Sequence, residues 1–474
     1  MKQAHQPWRV GMTVLVSGLI LGLLAFFLIP VVLPGASDSA VEEPLAPEVL
    51  AAAVATALPR LDPGAPVPDA AVLKSTMDSA LSQAGPGASV TASVIDVENA
   101  EELYSRSGGE PGIPASSLKV LTAIAAVQAI GESHRFTTKA MLKDADTVVL
   151  VGGGDVLLGA GKDSESVNGR AGLATLAKKT AVALRQARSA GDAAGSMRIE
   201  LDESLFAGDA LNPVWDPSLV STHNISPISP IAMYGARANA SPKAVRVGDP
   251  GMYAAKTFAK SLRAELAAAG GGVEIAAEPM RAGAHAEGTE LAGISSATLG
   301  EQIRFMLEVS DNYVAETLGR MVAVAKQEPG DYSHGAQSVA QTLQGLGIDT
   351  TGMHLVDTSG LADANRVAPR TLARALEYAA TSEHASLRNL SYSLPVSGAT
   401  GTLSTRLAAP GIRGTVRAKT GSLMEVSSLS GLTVSKDGRA LAFSFYVHTD
   451  DRVIAPHKQV LDAAAAALTG CGCR

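Results

Sequence analysis

Three short patterns combine residue types whose spacing could perform acyl transfer. Ser116-Ser117-Leu118-Lys119 sets a hydroxyl three positions ahead of an amine. If Ser116 opens a helix, this spacing puts both side chains on one face. A serine hydroxyl is a poor nucleophile until a base takes its proton. A lysine can be that base when burial or nearby cations lower its pKa. Ser310-Asp311-Asn312 pairs a hydroxyl able to relay a proton with an amide able to hold a substrate backbone group. Lys419-Thr420-Gly421-Ser422 offers a cation and two hydroxyls, a set suited to a terminal carboxylate. Its glycine lets a substrate backbone come close to a strand edge.

Each pattern alone has a plainer reading. The first could be a helix-capping serine with a surface lysine, and chance supplies about one such match in a chain like this. The third could be a turn opening a hairpin, although it occurs once where chance gives roughly 0.1. The second recurs at Ser166-Val167-Asn168, in a polar loop beside Gly169, and that copy is set aside. The specific signal is the three patterns together, in this order. Other chemistries find no support. The 9 histidines form no metal-binding spacing, and the 2 cysteines, Cys471 and Cys473, both lie in the final tetrapeptide. That rules out a Cys/His zinc framework, and the sequence calls for no metal and no cofactor. No Gly-x-Ser-x-Gly elbow is present. Gly152-Gly153-Gly154 lacks the Lys-Ser/Thr of a phosphate loop. A net charge of −7 and 4% aromatic residues argue against nucleic acid as a partner.

The elements that must position these residues can be read along the chain of 474 residues. Residues 10–33 carry no charge, with Lys2 and Arg9 before them and Asp38, Glu42 and Glu43 after. The segment is long enough to span a bilayer, and its flanking charges put the remainder of the chain outside the cytoplasm. The rival reading is a cleaved signal peptide, with a small-residue site near Gly35-Ala36-Ser37. Residues 34–72 read as a disordered Pro/Ala-rich linker. Helix is expected over 73–83 and strand over 88–96, with a hairpin partner at 101–105. The helix over 116–130 is apolar on nearly all sides and must be buried. Residues 138–286 alternate strands (147–151, 197–201) with helices (172–187, 252–268), which suggests a small α/β insertion with Trp215 and Tyr234 in its core. Later come a helix over 299–325, interrupted near Val309-Ser310, a helix over 369–379, and a hairpin of 429–435 with 439–447 across Asp437-Gly438. A helix over 454–468 closes the chain. Cys471-Gly472-Cys473 could form a small disulfide or carry two free thiols.

The three ordered motifs resemble those of β-lactamases and penicillin-binding proteins. Over about 73–468 the sequence is similar to low-molecular-mass penicillin-binding proteins with an inserted domain: the D-alanyl-D-alanine carboxypeptidase/endopeptidases of peptidase family S13, the penicillin-binding protein 4 type. Pro114-Ala115 before Ser116, Leu150-Val151-Gly152-Gly153-Gly154-Asp155, Asp357-Thr358-Ser359-Gly360-Leu361, Leu394-Pro395-Val396-Ser397-Gly398 and Gly401-Thr402-Leu403 also carry the likeness. The resemblance implies an α+β fold. A transpeptidase/β-lactamase-like domain, an antiparallel sheet flanked by helices, would occupy 73–137 and 287–470. A small α/β insertion would fill 138–286, the long gap between Ser116 and Ser310. Residues 1–9 would be a cytoplasmic tail, 10–33 a transmembrane anchor and 34–72 the linker.

The resemblance also implies roles. Ser116 would be the nucleophile and Lys119 the general base. Ser310, helped by Lys419, would pass a proton to the leaving D-alanine. Asn312 would hold the stem peptide and orient Lys119. Thr420 and Ser422 would bind the terminal carboxylate, Gly421 would admit the substrate, and the Ser116 and Ser422 N–H groups would form the oxyanion hole. The expected activity is a serine-type D-Ala-D-Ala carboxypeptidase, extending to endopeptidase action on cross-links. Its partners would be peptidoglycan stem peptides, β-lactams as covalent inhibitors, and the cell membrane. The enzyme would be single-pass with its catalytic part outside, or secreted after signal cleavage. A serine β-lactamase and a catalytically silent cell-wall binding protein are the alternatives. The chain departs from the family's usual Asp-Gly-Ser-Gly-Leu-Ser-Arg: Thr358 replaces the first glycine, and Ala362-Asp363 replace Ser-Arg. Asp363 reverses the charge of that arginine, and Arg366 is the candidate to compensate.

Overall fold

Residues 119–127 are buried without a break, so the helix carrying Lys119 must run through the interior rather than along the surface. A computed structural model describes residues 64–187, 195–270, 273–275, 278–283, 287–450 and 454–472. The expected tail, anchor and most of the linker fall outside the described residues. Among the described residues, no helix is long and apolar enough to cross a membrane.

The first helix among the described residues is α1 (Ala70–Leu81), whose first turn is capped by the Asp69 carboxylate accepting the Ala71 and Val72 N–H groups. The hairpin β1 (Ala88–Asp96) and β2 (Glu102–Arg106) comes next, then α2 (Lys119–Ile130), which Gly131 ends. A second region contains β3 (Thr137–Asp144), β4 (Thr147–Val151), α3 (Leu173–Ala187), β5 (Gly195–Asp202), α4 (Pro250–Ala268), β6 (Val273–Ile275), β7 (Met280–Arg281) and β8 (Thr289–Ser295). The chain then returns through α5 (Leu299–Val309), α6 (Asn312–Ala325), α7 (Tyr332–Gly345), α8 (Pro369–Thr381), β9 (Arg417–Leu423), β10 (Val426–Val434), β11 (Ala440–Thr449) and α9 (Ile454–Gly470).

The first sheet runs β2-β1-β11-β10-β9 and is antiparallel throughout. Its β10 and β11 are buried over nearly their whole length, because helices cover both faces. On one face α1 and α9 pack in a core with Leu73, Met77, Phe443, Phe445 and Leu461. On the other face α8 rests on β1 and β11, and behind it α2 packs against α6 and α7. The second sheet runs β6-β5-β4-β3-β8, with β7 beside β5. Here β4, β5 and β6 are parallel, and the crossovers between them carry α3 and α4. All described residues fall in one compact unit.

Several features differ from the expectations. The second sheet begins at Thr137 and its last strand, β8, lies beyond residue 286. Trp215 sits in the main core against Tyr332, not in the core of the second sheet. Its indole N–H donates to Asp357 at 2.9 Å, which draws it towards the catalytic half. Tyr234 does pack against the second sheet's core. Lys419-Thr420-Gly421 lies inside strand β9, as its strand-edge reading requires, and the plainer reading of a turn falls away. Cys471 is buried and disulfide-bonded, while Cys473 lies outside the described residues.

The helix expected over 299–325 breaks at Ser310, which takes a left-handed backbone (φ 57°) and caps α5. Asp311 then caps α6 by accepting the Val314 N–H at 3.0 Å. Its other oxygen pairs with two buried guanidiniums, Arg237 at 2.5 Å and Arg246 at 3.4 Å. Removing one partner of a buried ion pair leaves uncompensated charge. Asp311→Ala should therefore lose about 3–5 kcal/mol of stability in urea unfolding. A loss below about 1 kcal/mol would show that this triad does not hold the helix break in place.

Candidate active site

The turn before α2 is tight. Ala115 adopts a left-handed conformation (φ 46°), and residues Ala115–Leu118 form a single 3-10 turn that leads into the helix. The expected helix over 116–130 thus begins in a different geometry, but Ser116 and Lys119 still meet. Lys119 is 0% exposed and its Nζ donates to Ser116 Oγ at 3.0 Å. It also donates to Asn312 Oδ1 at 2.7 Å and to the Ser359 carbonyl at 2.7 Å. Three acceptors thus match the three hydrogens of an ammonium. Lys419, also 0% exposed, donates to Ser310 Oγ at 2.8 Å and to its neighbour's carbonyl, Thr420 O, at 2.9 Å. Ser116, Ser310, Asn312 and Thr420 are half-buried and Ser422 is exposed, so hydroxyls and amide face outward while both amines lie beneath them.

Strand β9 ends the first sheet's order and runs directly against the Ser116 turn. A Cβ on Gly421 would lie 2.9 Å from the Ser116 nitrogen and 2.1 Å from Ser428 Oγ. Only glycine leaves that approach open. Ser428 fastens the turn: its hydroxyl donates to the Pro114 carbonyl at 2.7 Å and lies 2.9 Å from Ser117 Oγ. Thr420 Oγ1 meets Thr402 Oγ1 at 2.9 Å, and the exposed Ser422 hydroxyl rests on Gly421 O at 2.8 Å. The Asn312 amide N–H donates to the Asn224 carbonyl at 3.1 Å, which brings the Asn224 backbone to the edge of the site. The second Ser-x-Asn copy stays apart: Asn168 donates to Ala240 O, and Ser166 is exposed.

The loop at 357–361 completes the site. Asp357 accepts four donors: the Gly360 and Ala362 N–H groups, the Asn365 amide and the Trp215 indole. Gly360 (φ 77°) lies so close to the Ser116 turn that a Cβ would come within 1.9 Å of the Ala115 carbonyl. Thr358, where the family often has glycine, donates to the Ala315 carbonyl at 3.1 Å. Gly319 accommodates it, since a Cβ there would be 2.3 Å from Thr358 Oγ1. Arg366 uses its guanidinium on the Asp363 and Asn365 carbonyls, and Asp363 is exposed. Residue types and spacing alone gave no role to Ser359, Glu316, Thr402, Asn224 or Ser428. The Asp357–Leu361 and Gly401–Leu403 stretches were visible only as likenesses, not as contacts.

Burial dominates the electrostatics. It lowers the Lys119 amine to about 8, against the opposing pull of Asp357, Glu316 and Asp311. Burial also drives Lys419 well below its ordinary value, and the neighbouring Lys119 and Arg406 charges act in the same direction. Burial works to neutralise Asp311, but Arg246 and Arg237 outweigh it and hold the carboxyl at about 2. The arrangement provides one hydroxyl in contact with a buried amine, and a second hydroxyl on a second buried amine. Among the described residues no group of His, Cys, Asp or Glu could hold a metal ion.

The sequence profile of the D-Ala-D-Ala carboxypeptidase 3 (S13) family matches this chain over residues 73–239 and 232–468. The chain belongs to that family. It is a serine-type D-Ala-D-Ala carboxypeptidase. It is 34% identical to Carboxypeptidase Rv3627c of Mycobacterium tuberculosis over 376 residues, which are 77% of this chain and 76% of that one. Carboxypeptidase DacB of Mycolicibacterium smegmatis is 33% identical over the same shares. The fold is that of penicillin-binding protein 4 (dacB) from Haemophilus influenzae, with a TM-score of 0.66 at 21% identity, covering 83% of this chain and 99% of that one.

The geometry makes two outcomes measurable. Gly421→Ala should slow acylation by about a hundredfold, the cost of roughly 1 Å of misplacement at the reacting atoms. Stopped-flow acylation with a chromogenic β-lactam would measure it, and an unchanged rate would show that the β9 approach is not needed. Below pH 8 the Lys119 amine is mostly ammonium and has no lone pair, so acylation should rise as pH climbs through about 8. A rate flat between pH 6 and 9 would contradict this placement of the base.

Proposed function

We propose that the S13 carboxypeptidase reaction runs through Ser116 as nucleophile and Lys119 as its general base. The observation that carries the reading is the contact of Ser116 with a wholly buried amine, held from its other sides by Asn312 and a carbonyl. Ser116 Oγ attacks the carbonyl of the penultimate D-alanine while Lys119 takes its proton. Ser310, in contact with Lys419, delivers a proton to the departing D-alanine nitrogen. Thr420 and Ser422 receive the terminal carboxylate, and Gly421 lets the peptide lie along β9. The Ser116 and Ser422 N–H groups stabilise the oxyanion. Water then resolves the acyl-enzyme.

Peptidoglycan stem peptides are the substrate on this reading, with cross-link cleavage as a further outcome. β-Lactams would acylate Ser116 as mimics of the D-Ala-D-Ala end. The Haemophilus influenzae protein of the same fold has been crystallised with a β-lactam. The uncharged segment 10–33, with basic residues before it and acidic ones after, supports a single-pass anchor with the catalytic part outside the cytoplasm. Recovery from the soluble extracellular fraction of a chain that begins near Gly35-Ala36-Ser37 would favour signal cleavage instead.

A fluorescent penicillin should label the wild type and leave Ser116→Ala unlabelled. Equal labelling of both would refute the assignment of the nucleophile. Mass spectrometry of muropeptides incubated with the enzyme should show loss of terminal D-alanine. Intact pentapeptides after prolonged incubation with enzyme that still takes up the penicillin label would contradict the substrate class.

A further inference from the structure

Glu316 lies four residues after Asn312 on α6, on the same helical face. It is 1% exposed and takes no direct part in the acylation chemistry. Its Oε1 accepts the Ser359 N–H at 2.8 Å and the Thr358 N–H at 3.2 Å. These bonds hold the residue whose own carbonyl, Ser359 O, one peptide unit further on, takes a hydrogen from Lys119. The neighbouring Thr358 carbonyl accepts from Thr122 on α2 at 2.6 Å, so the loop is held from both helices.

The hydrogens can be counted. Thr358 Oγ1 lies 3.1 Å from the Ala315 carbonyl and 3.2 Å from Glu316 Oε2. One hydroxyl hydrogen cannot serve both acceptors. Either the hydroxyl gives its hydrogen to an ionised Glu316 carboxylate, or it gives it to Ala315 O and a proton on Glu316 Oε2 completes the second contact. Burial, reinforced by the nearby Asp357 carboxylate, raises Glu316 to about 8 and so favours the second arrangement below that pH.

The consequence falls on the amine. A neutral Lys119 has two hydrogens and one lone pair. Asn312 Oδ1 and Ser359 O can only accept, so they take both hydrogens. The lone pair must then face Ser116, the one neighbour with a hydrogen to give. We propose that Glu316 is a positioning residue: by binding the Thr358 and Ser359 N–H groups it keeps the Ser359 carbonyl on Lys119 and thereby aims the amine's lone pair at Ser116 Oγ. The proposal rests on the reading of Lys119 as the general base.

The test uses Glu316→Ala and Glu316→Gln in the full-length enzyme, with acylation by fluorescent penicillin measured from pH 6 to 9.5. Alanine removes both N–H acceptors and should slow acylation about a hundredfold at pH 7, as loss of alignment does elsewhere. Glutamine keeps the carbonyl oxygen for both N–H groups and offers an N–H to Thr358 Oγ1. It should restore the rate to within about threefold of wild type. The pH profile separates positioning from mere stability. In the wild type, Glu316 ionises in the same range as Lys119 and helps the amine keep its proton. Glutamine adds no such charge, so the midpoint should move to lower pH. The other charges around Lys119 stay in place: Asp311 at the α6 cap, Asp357 in the loop, Arg246 from the second-sheet region and Lys419 on β9.

Glutamine as damaging as alanine at pH 7 would overturn the proposal, and so would a midpoint that stays put or rises. If alanine does not fold, the glutamine profile alone decides. A flat wild-type profile would instead overturn the assignment of Lys119, and this proposal with it.

Discussion

An ammonium taken out of water is expensive to hold unless its hydrogens find partners. Lys119 is such a group, and much of the site's construction answers to it. The amine is wholly enclosed, and its acceptors come from three separate stretches of chain: the Ser116 turn, the start of α6 and the 357–361 loop. Two of these acceptors cannot give a hydrogen back. Burial lowers the amine's hold on its proton, and the two pure acceptors leave Ser116 as the partner for a lone pair.

Holding these stretches together takes features that look costly on their own. Ala115 and Ser310 both adopt left-handed backbones without being glycine. The first turns Ser116 onto β9, and the second ends α5 so that Ser310 can reach Lys419 while Asn312 starts α6 at Lys119. Asp311, between them, binds two arginines from the second-sheet region, so that region anchors the helix break. Gly360 and Gly421 let backbone close over the Ser116 turn from two sides. Thr358 fits in the loop because Gly319, on the facing helix, has no side chain.

The sequence made plain whatever was encoded locally. The alternation of β1 and the Asp-Gly turn between β10 and β11 marked the central hairpins, and the all-round apolar α2 announced its own burial. The three motifs named, by type and order, the hydroxyls, amines and amide that the structure brings together. What stayed hidden depends on distant partners. Strand β9 reads Arg-Ala-Lys-Thr-Gly-Ser-Leu, poor in strand formers, and exists through its pairing with β10. Strands β3 and β8 lack clear alternation and define each other across the whole second region. Trp215 reads as core of its own neighbourhood until Asp357, 142 positions away, claims its N–H. Glu316 looks like the polar face of a helix, and only the 358–359 peptide, 42 and 43 positions on, reveals it as buried.

The central claim is that Lys119 is an amine able to lose its proton near neutral pH. An NMR titration of the enzyme with 13Cε-labelled lysine, assigned by the signal missing from Lys119→Ala, measures this directly. The account predicts that the signal titrates near pH 8. Titration of the same signal at about 10.4, the value of an ordinary lysine, would contradict it.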